Sequence, residues 1–129
     1  MKKAGTVLMY NCSGPEFSKL KQIFAMLRLR MRTVTPDRYH LTLLELAENQ
    51  GENAAEAPEA IPETMLVFCG VNSALCNQVL EVLRTANVPQ VDLKAILTQE
   101  NQTWDSLKLY EELKKERESF RQEQEKPQD

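Results

Sequence analysis

The chain has 129 residues, of which 42% are hydrophobic, and its net charge at pH 7 is −3. This length fits one domain that can bury roughly two thirds of its unfolded surface, so folding needs neither a metal nor a disulfide. The three cysteines are an odd number without a CxxC pair, and His40 is the one histidine. We therefore expect no disulfide framework, no metal site, no Ser-His-Asp triad and no cofactor.

The distribution of apolar and charged residues argues against a membrane or nucleic-acid partner. The apolar run at 7–10 is too short for a signal peptide, and no apolar stretch reaches 18 residues. Residues 1–40 hold eight bases and two acids, residues 41–63 hold six acids and no base, and only 6% of the chain is aromatic. We expect a cytoplasmic protein with reduced thiols that binds neither membranes nor nucleic acid.

The first half, residues 1–48, reads as a β-α-β-α unit. "VLMY" (7–10) is a continuous apolar run, typical of a strand that is covered on both faces. Ser13-Gly14-Pro15-Glu16 matches a helix-capping box, and a stripe of apolar residues at helical spacing follows it. "RMRTV" (30–34) alternates charged and apolar residues, as a strand near a sheet edge does, and "LTLLEL" (41–46) indicates a second helix.

An acidic segment separates this half from a similar second half. Residues 49–63, "NQGENAAEAPEAIPE", lack aromatic residues and read as a flexible linker. Residues 64–120 then repeat the β-α-β-α order, with "MLVFC" as an apolar strand and Asn72 as the cap of the next helix. An alternating strand and a charged helix follow, and residues 121–129 read as a frayed tail.

The two halves predict one α/β domain, residues 1–129, built from two βαβα pseudo-repeats. The continuous apolar strands should be central and the alternating strands outer, which gives a four-stranded, mostly parallel sheet in the order 2-1-3-4 with helices on its faces. An antiparallel meeting of the two βαβ units, as in a ferredoxin-like α+β fold, is the alternative. The sequence leaves the choice between them open.

The second half contains a short motif between two helices. In residues 63–116, an apolar strand and a helix precede a Leu/Glu-rich helix, and the motif residues between the helices are Leu93-Lys94-Ala95, Thr98, Asn101 and Trp104. With this motif, the second half resembles a small bacterial domain family of unknown function. One departure lies in the first half, where "LRLRM" has no glycine at the position where such a helix commonly ends. The resemblance implies no activity, cofactor or catalytic residue.

This motif has a structural and a functional interpretation. Thr98 and Asn101 suit the hydrogen bonds of a turn, Trp104 can pack on the sheet, and Thr103 or Asp105 can cap the last helix. Alternatively, the polar residues after the strand are placed to meet a ligand. We favour the structural interpretation, which explains Lys94 least well.

A second candidate site lies in the loops that follow the two central strands. In an open parallel sheet, ligands bind where the strand order reverses, and loops 11–16 and 69–74 would arrive there. Each loop carries a glycine and leads into a helix N-terminus, which favours a small anionic metabolite or nucleotide. Neither loop matches a GxGxxG or Walker pattern. The candidate ligand-binding residues are Ser13, Gly14, Gly70, Asn72 and Ser73.

Two cysteines complete the set of candidates. Cys12 and Cys69 end the two central strands, so a parallel sheet would bring them together, and a thiolate near a helix N-terminus can be reactive. Buried free cysteine is nevertheless often a small apolar residue, and no resolving CxxC is present. We expect a non-enzymatic domain that acts through a protein partner or as a homo-oligomer. Anion binding ranks second, and thiol-dependent redox activity third.

Overall fold

A computed structural model describes residues 5–125, with side chains from residue 5 to residue 119. The elements alternate along the chain between strands and helices, with three short 3-10 turns among them. The strands are β1 (Gly5–Tyr10), β2 (Leu29–Thr33), β3 (Met65–Cys69) and β4 (Leu93–Ile96). The helices are α1 (Ser18–Met26), α2 (Leu43–Ala47), α3 (Ser73–Thr85) and α4 (Ser106–Glu125).

The sheet has the order β2-β1-β3-β4, which confirms the predicted order and the α/β class. The pairs β1–β2 and β3–β4 are parallel, but the central pair is antiparallel, with Thr6 opposite Cys69 and Tyr10 opposite Met65. The two βαβ units thus meet in the antiparallel manner that the sequence had left open. Both strands of each unit remain neighbours, so the topology is not the split βαβ of ferredoxin-like folds.

The connection between the halves explains the antiparallel centre. A parallel crossover must carry the chain back along the full length of the strands, but α2 has five residues and is about 7.5 Å long. The chain instead stays at the end of the sheet where β1 finishes. There the Thr64 hydroxyl donates a hydrogen bond to the carbonyl of Asn11, at 2.9 Å, just before β3 begins.

Each face of the sheet carries its own apolar layer. On one face, the α1/α3 face, Leu20 and Phe24 of α1 and Val79 of α3 pack on the sheet. On the other, the α2/α4 face, Leu43 of α2 and Leu109 of α4 do so. The central strands are buried on both faces, as their continuous apolar sequences predicted.

Helix starts agree with the sequence in the second half only. Asn72 caps α3, its side-chain oxygen accepting from the amide of Leu75 at 2.7 Å. The capping box predicted at Ser13 is wrong, because a 3-10 turn begins at Pro15 after Gly14, with no side-chain cap. A capping box occurs instead at α2. The Thr42 hydroxyl accepts from the backbone amide of Glu45, and the Glu45 carboxylate accepts from the backbone amide of Thr42.

Helix α1 ends on a residue in the left-handed conformation. Arg28 has a φ of 63°, and its amide donates to the carbonyl of Ala25 at 3.0 Å. This is the place in "LRLRM" where the sequence lacks a glycine. Arg28 is exposed, so its side chain finds room in solvent, although its backbone adopts a conformation that favours glycine.

The acidic segment contacts the domain near both of its ends. The Ala54 amide donates to the carbonyl of Asp37 at 2.8 Å, and the Ile61 amide donates to the Tyr39 hydroxyl at 3.1 Å. Ile61 itself is buried in the α2/α4 layer. The flexibility of this linker, the division of the chain at residues 48 and 64, and the internal duplication stay predictions.

Helix α4 extends to Glu125. Of the frayed tail predicted for residues 121–129, the structure describes only the backbone of residues 121–125, and residues 126–129 lie outside the described part. Among the helices of residues 5–125, none combines the length and the apolar character that crossing a membrane requires.

Candidate functional site

A groove of about 510 Å³ lies along the free edge of β4, and we call it the β4 groove. Its apolar walls come mainly from α3, β4 and α4, and the two helices pack on opposite faces of the sheet. The groove therefore lies in the layer of the sheet itself, beside β4 and between the two helices. Its apolar lining includes Cys76 and Leu80 of α3, Ala95 and Ile96 of β4, and Leu109 and Leu113 of α4.

Two side chains in this lining are unusually exposed for their type. Leu80 is 39% exposed and Ile96 is 44% exposed, whereas the aliphatic residues of the central strands are almost completely buried. Both side chains lie on the α1/α3 side of the groove, since Ile96 is the register partner of Phe68 in that layer. The groove thus offers apolar surface to solvent, which is typical of a binding site.

The residues of the sequence motif meet at one end of this groove. The Thr98 amide donates to the Asn101 side-chain oxygen at 2.8 Å, and the Asn101 amide donates to the Thr98 hydroxyl at 3.1 Å. The Asn101 side-chain nitrogen donates to the carbonyl of Ile96 at 3.0 Å. Through these bonds, Thr98 and Asn101 hold the turn after the last strand.

The rest of the motif also fits the structural interpretation, yet all four of its key residues line the groove. Trp104 packs against the α2/α4 layer, and the ammonium of Lys108 lies 5.1 Å from its ring centroid. Asp105 caps α4, accepting from the amide of Lys108 at 2.8 Å. Lys94, the least explained member, donates its ammonium to the carbonyl of Val91.

The charged part of the lining is mainly acidic. Three carboxylates, Glu100, Glu112 and Glu116, accompany the single ammonium of Lys94. Glu112 has a weak bond from the Lys115 ammonium at 3.5 Å. Within residues 5–119, neither Glu100 nor Glu116 forms a side-chain hydrogen bond or an ion pair. These carboxylates would therefore favour a ligand that carries positive charge.

The second predicted site does not assemble. Because β1 and β3 are antiparallel, loop 69–74 starts beside Thr6, while loop 11–16 starts after Tyr10. Tyr10 is four residues, or about 13 Å, farther along β1. The expected convergence of the two loops is therefore wrong: Ser13 and Gly14 lie at one end of the sheet, and Gly70, Asn72 and Ser73 lie at the other.

The local geometry of these loops also disfavours an anion. A Cβ atom added to Gly14 would lie 2.6 Å from a carboxylate oxygen of Glu16, so that negative charge lies directly over the glycine. In the other loop, the side chain of Asn72 already caps α3. Gly70 has a φ of 70°, which explains the need for glycine without a ligand.

The two candidate thiols are separated in the same way and are chemically quiet. Burial raises the pKa of Cys12 to about 11 and that of Cys69 to about 12. Both thiols therefore stay protonated at neutral pH, whereas a nucleophilic thiol must be ionised. The expectation that they lie near each other is wrong, because Cys69 is opposite Thr6 and Cys12 lies beyond the other end of β1.

In the described part of the chain, no group of three or more His, Cys, Asp or Glu side chains is arranged to hold a metal ion. The β4 groove itself was missed from the sequence, apart from its motif residues. A signal was available in Leu80, which lies four residues after the buried Cys76 and so widens the apolar face of α3.

The comparisons with known proteins bear on the half that contains the groove. No curated protein and no solved structure matches the chain. A family model does match residues 64–120, which include β3, α3, β4, the start of α4 and the whole lining of the groove. The expected resemblance to a family of unknown function is thereby confirmed for this half. Residues 64–120 are thus similar to DUF3783, a domain of unknown function.

Proposed function

We propose that the chain is a non-enzymatic protein-interaction domain that binds a polypeptide segment in the β4 groove. The observation that carries this proposal is the exposure of Leu80 and Ile96 in the lining of one groove, beside an open sheet edge. Burying such side chains on binding contributes roughly 25 cal/mol per Å² of apolar surface.

The arrangement of the lining supports a polypeptide ligand. The lining combines apolar side chains with the exposed carboxylates of Glu100 and Glu116, and protein interfaces likewise combine an apolar core with a polar rim. Trp104 adds an aromatic wall, and aromatic residues are enriched in such cores. The chain's one histidine, His40, is not part of this lining, so a histidine base is not available there.

The compartment is part of the same proposal. All three cysteines are free and buried, and free thiols persist in reducing surroundings such as a bacterial cytoplasm. No observation favours the anion site at loops 11–16 and 69–74.

A display library of random linear peptides tests the groove directly. Peptides selected on the immobilised protein should bind Leu80→Glu at least about tenfold more weakly, because the change places a charge on the apolar wall. Leu107→Glu is the matched control, since Leu107 is 41% exposed and lies outside the groove lining. Equal binding to both variants, or a selection that yields no peptide, would contradict the proposal.

A further inference from the structure

The free edge of β4 directs backbone groups into the β4 groove. The Leu97 amide donates to the carbonyl of Phe68 at 2.9 Å, which fixes Ala95 and Leu97 as the residues that bond to β3. Since alternate residues of a strand bond to opposite neighbours, Lys94 and Ile96 turn their backbone groups outward. The Asn101 side-chain nitrogen donates a hydrogen bond to the carbonyl of Ile96, as the backbone amide of a further strand would. The site is thus shaped for an added strand that ends at Asn101.

The opposite edge of the sheet offers a strand of the complementary kind. The Val34 amide donates to the carbonyl of Met9 at 3.0 Å, so that Met31 and Thr33 turn their backbone groups outward from β2. Met31 is 38% exposed, and the exposed side chain of Arg30 beside it has no hydrogen bond or ion pair inside the described residues. This edge therefore carries free backbone groups, an apolar side chain and positive charge.

The two edges match face by face. Met31 is the register partner of Val7 and lies on the α1/α3 face, which is the face that carries Leu80 and Ile96 in the groove. Arg30 pairs with Thr6 and points to the α2/α4 face. On that face the groove presents the carboxylates of α4, Glu112 and Glu116.

Strand direction preserves this match. Within one chain β2 is parallel to β1, and β4 is parallel to β3, so β2 and β4 run in opposite directions. A second copy placed beside the first in the same orientation would pair its β2 antiparallel to β4, with like faces on the same side. A parallel pairing would turn the second copy over and bring Arg30 against the apolar wall, where a charge is costly.

We propose that the polypeptide bound in the β4 groove is the β2 edge of a second copy of this chain. This inference rests on the proposed function of the groove. The contact is heterologous, since each copy uses β4 toward one neighbour and β2 toward the other, and repetition gives a ring or a filament. Met31 enters beside Leu80 and Ile96, while Arg30 faces Glu112 and Glu116. A groove-to-groove contact would instead bring carboxylates against carboxylates.

Sedimentation velocity over a range of protein concentrations tests this assembly. Wild type should associate, and raising the salt concentration should weaken the association because the charges are solvent-exposed. Arg30→Glu and Glu116→Lys should each weaken it by about tenfold, since each places like charges together. An equimolar mixture of the two variants should associate again, because each supplies the charge that the other has lost.

A matched control separates this contact from general charge effects. Lys19→Glu makes the same change of charge as Arg30→Glu on an exposed residue of α1, outside β2 and outside the groove lining, and should leave association unchanged. Recovery in the mixture also shows that both variants are folded. A monomeric wild type, equal effects of Lys19→Glu and Arg30→Glu, or a mixture no more associated than its components would overturn the inference. Groove-directed peptides with a monomeric chain would leave the proposed function standing and remove only the second copy.

Discussion

Arg117 of α4 holds Glu63 with both of its terminal guanidinium nitrogens, at 2.7 and 3.1 Å from the two carboxylate oxygens. The Tyr110 hydroxyl donates to the same carboxylate at 3.0 Å. Glu63 is the last residue of the acidic segment before β3, so this cluster ties α4 to the entrance of the second half. It also fixes the helix that forms one wall of the β4 groove.

The first prediction concerns the pH dependence of this tie. The hydrogen bond from Arg117, helped by that from Tyr110, lowers the pKa of Glu63 below its usual value of 4.5. A carboxyl with a lowered pKa stabilises the fold above its unfolded pKa, and this stabilisation is lost as the pH falls through the folded value. Glu63→Gln should lower the melting temperature at pH 7 by about 2–4 °C, and the difference from wild type should shrink below about pH 4.5. Thermal unfolding measured from pH 3 to pH 7 gives both results; a difference that does not change with pH would contradict the assignment.

The order of the strands could be predicted from the sequence, but the direction of the second half could not. Continuous apolar runs mark β1 and β3 as central, and alternation in "RMRTV" marks β2 as an edge strand, because burial on one or both faces decides which residues a strand tolerates. A buried strand has the same pattern whichever way it runs. The antiparallel centre follows from the short α2 and from the route of residues 49–63. The pattern of apolar and polar side chains does not predict that route.

The candidate site was predicted only in its local part. Thr98, Asn101 and Asp105 interact with residues close in sequence, so turn and cap chemistry identified them. The walls of the β4 groove join α3 to α4 around the edge of β4, and such a contact has no local signature. The prediction that loops 11–16 and 69–74 converge was wrong for the same reason, since it depended on the direction of β3.

The second prediction tests the capping box that the sequence placed at the wrong helix. Thr42→Ala should cost about 1 kcal/mol of unfolding free energy, because it removes the acceptor for the Glu45 amide. Thr42→Ser keeps a hydroxyl and should cost much less. Ser13→Ala is the informative comparison: the structure gives Ser13 no capping role, so its unfolding free energy should equal that of wild type. Urea denaturation of the three variants measures these values, and a loss in Ser13→Ala as large as in Thr42→Ala would refute the assignment.

The third prediction uses the left-handed residue that ends α1. Arg28→Gly should stabilise the protein by about 1 kcal/mol, because glycine adopts a positive φ without the steric cost that a Cβ atom imposes. Arg28→Ala keeps the Cβ atom and should bring no such gain, which separates the backbone effect from loss of the charge. The midpoint of urea unfolding is sufficient to compare them. Equal stabilities for the two variants would show that φ at residue 28 is not the cause.

The fourth prediction addresses the buried cysteines. With pKa values of about 11 and 12, Cys12 and Cys69 should be almost entirely protonated at pH 7.5 and should resist iodoacetamide in the folded protein. In urea the same thiols should react at the rate of an ordinary free cysteine. Mass spectrometry of the alkylated peptides follows each cysteine separately. Fast modification of either thiol in the native state would contradict this prediction and would support the hypothesis of thiol-dependent redox activity.

The fifth prediction concerns the buried pair Tyr10 and Ser106, whose hydroxyl oxygens are 2.7 Å apart beneath the start of α4. Burial raises the pKa of Tyr10 well above its usual value of 10, so its hydroxyl keeps its proton and needs a partner. Ser106→Ala leaves the tyrosine hydroxyl without that bond and should cost about 1–3 kcal/mol of unfolding free energy. Tyr10→Phe combined with Ser106→Ala removes both polar groups and should cost less than the sum of the single changes. A double-mutant cycle from chemical denaturation measures the coupling, and strict additivity would show that the two hydroxyls do not interact.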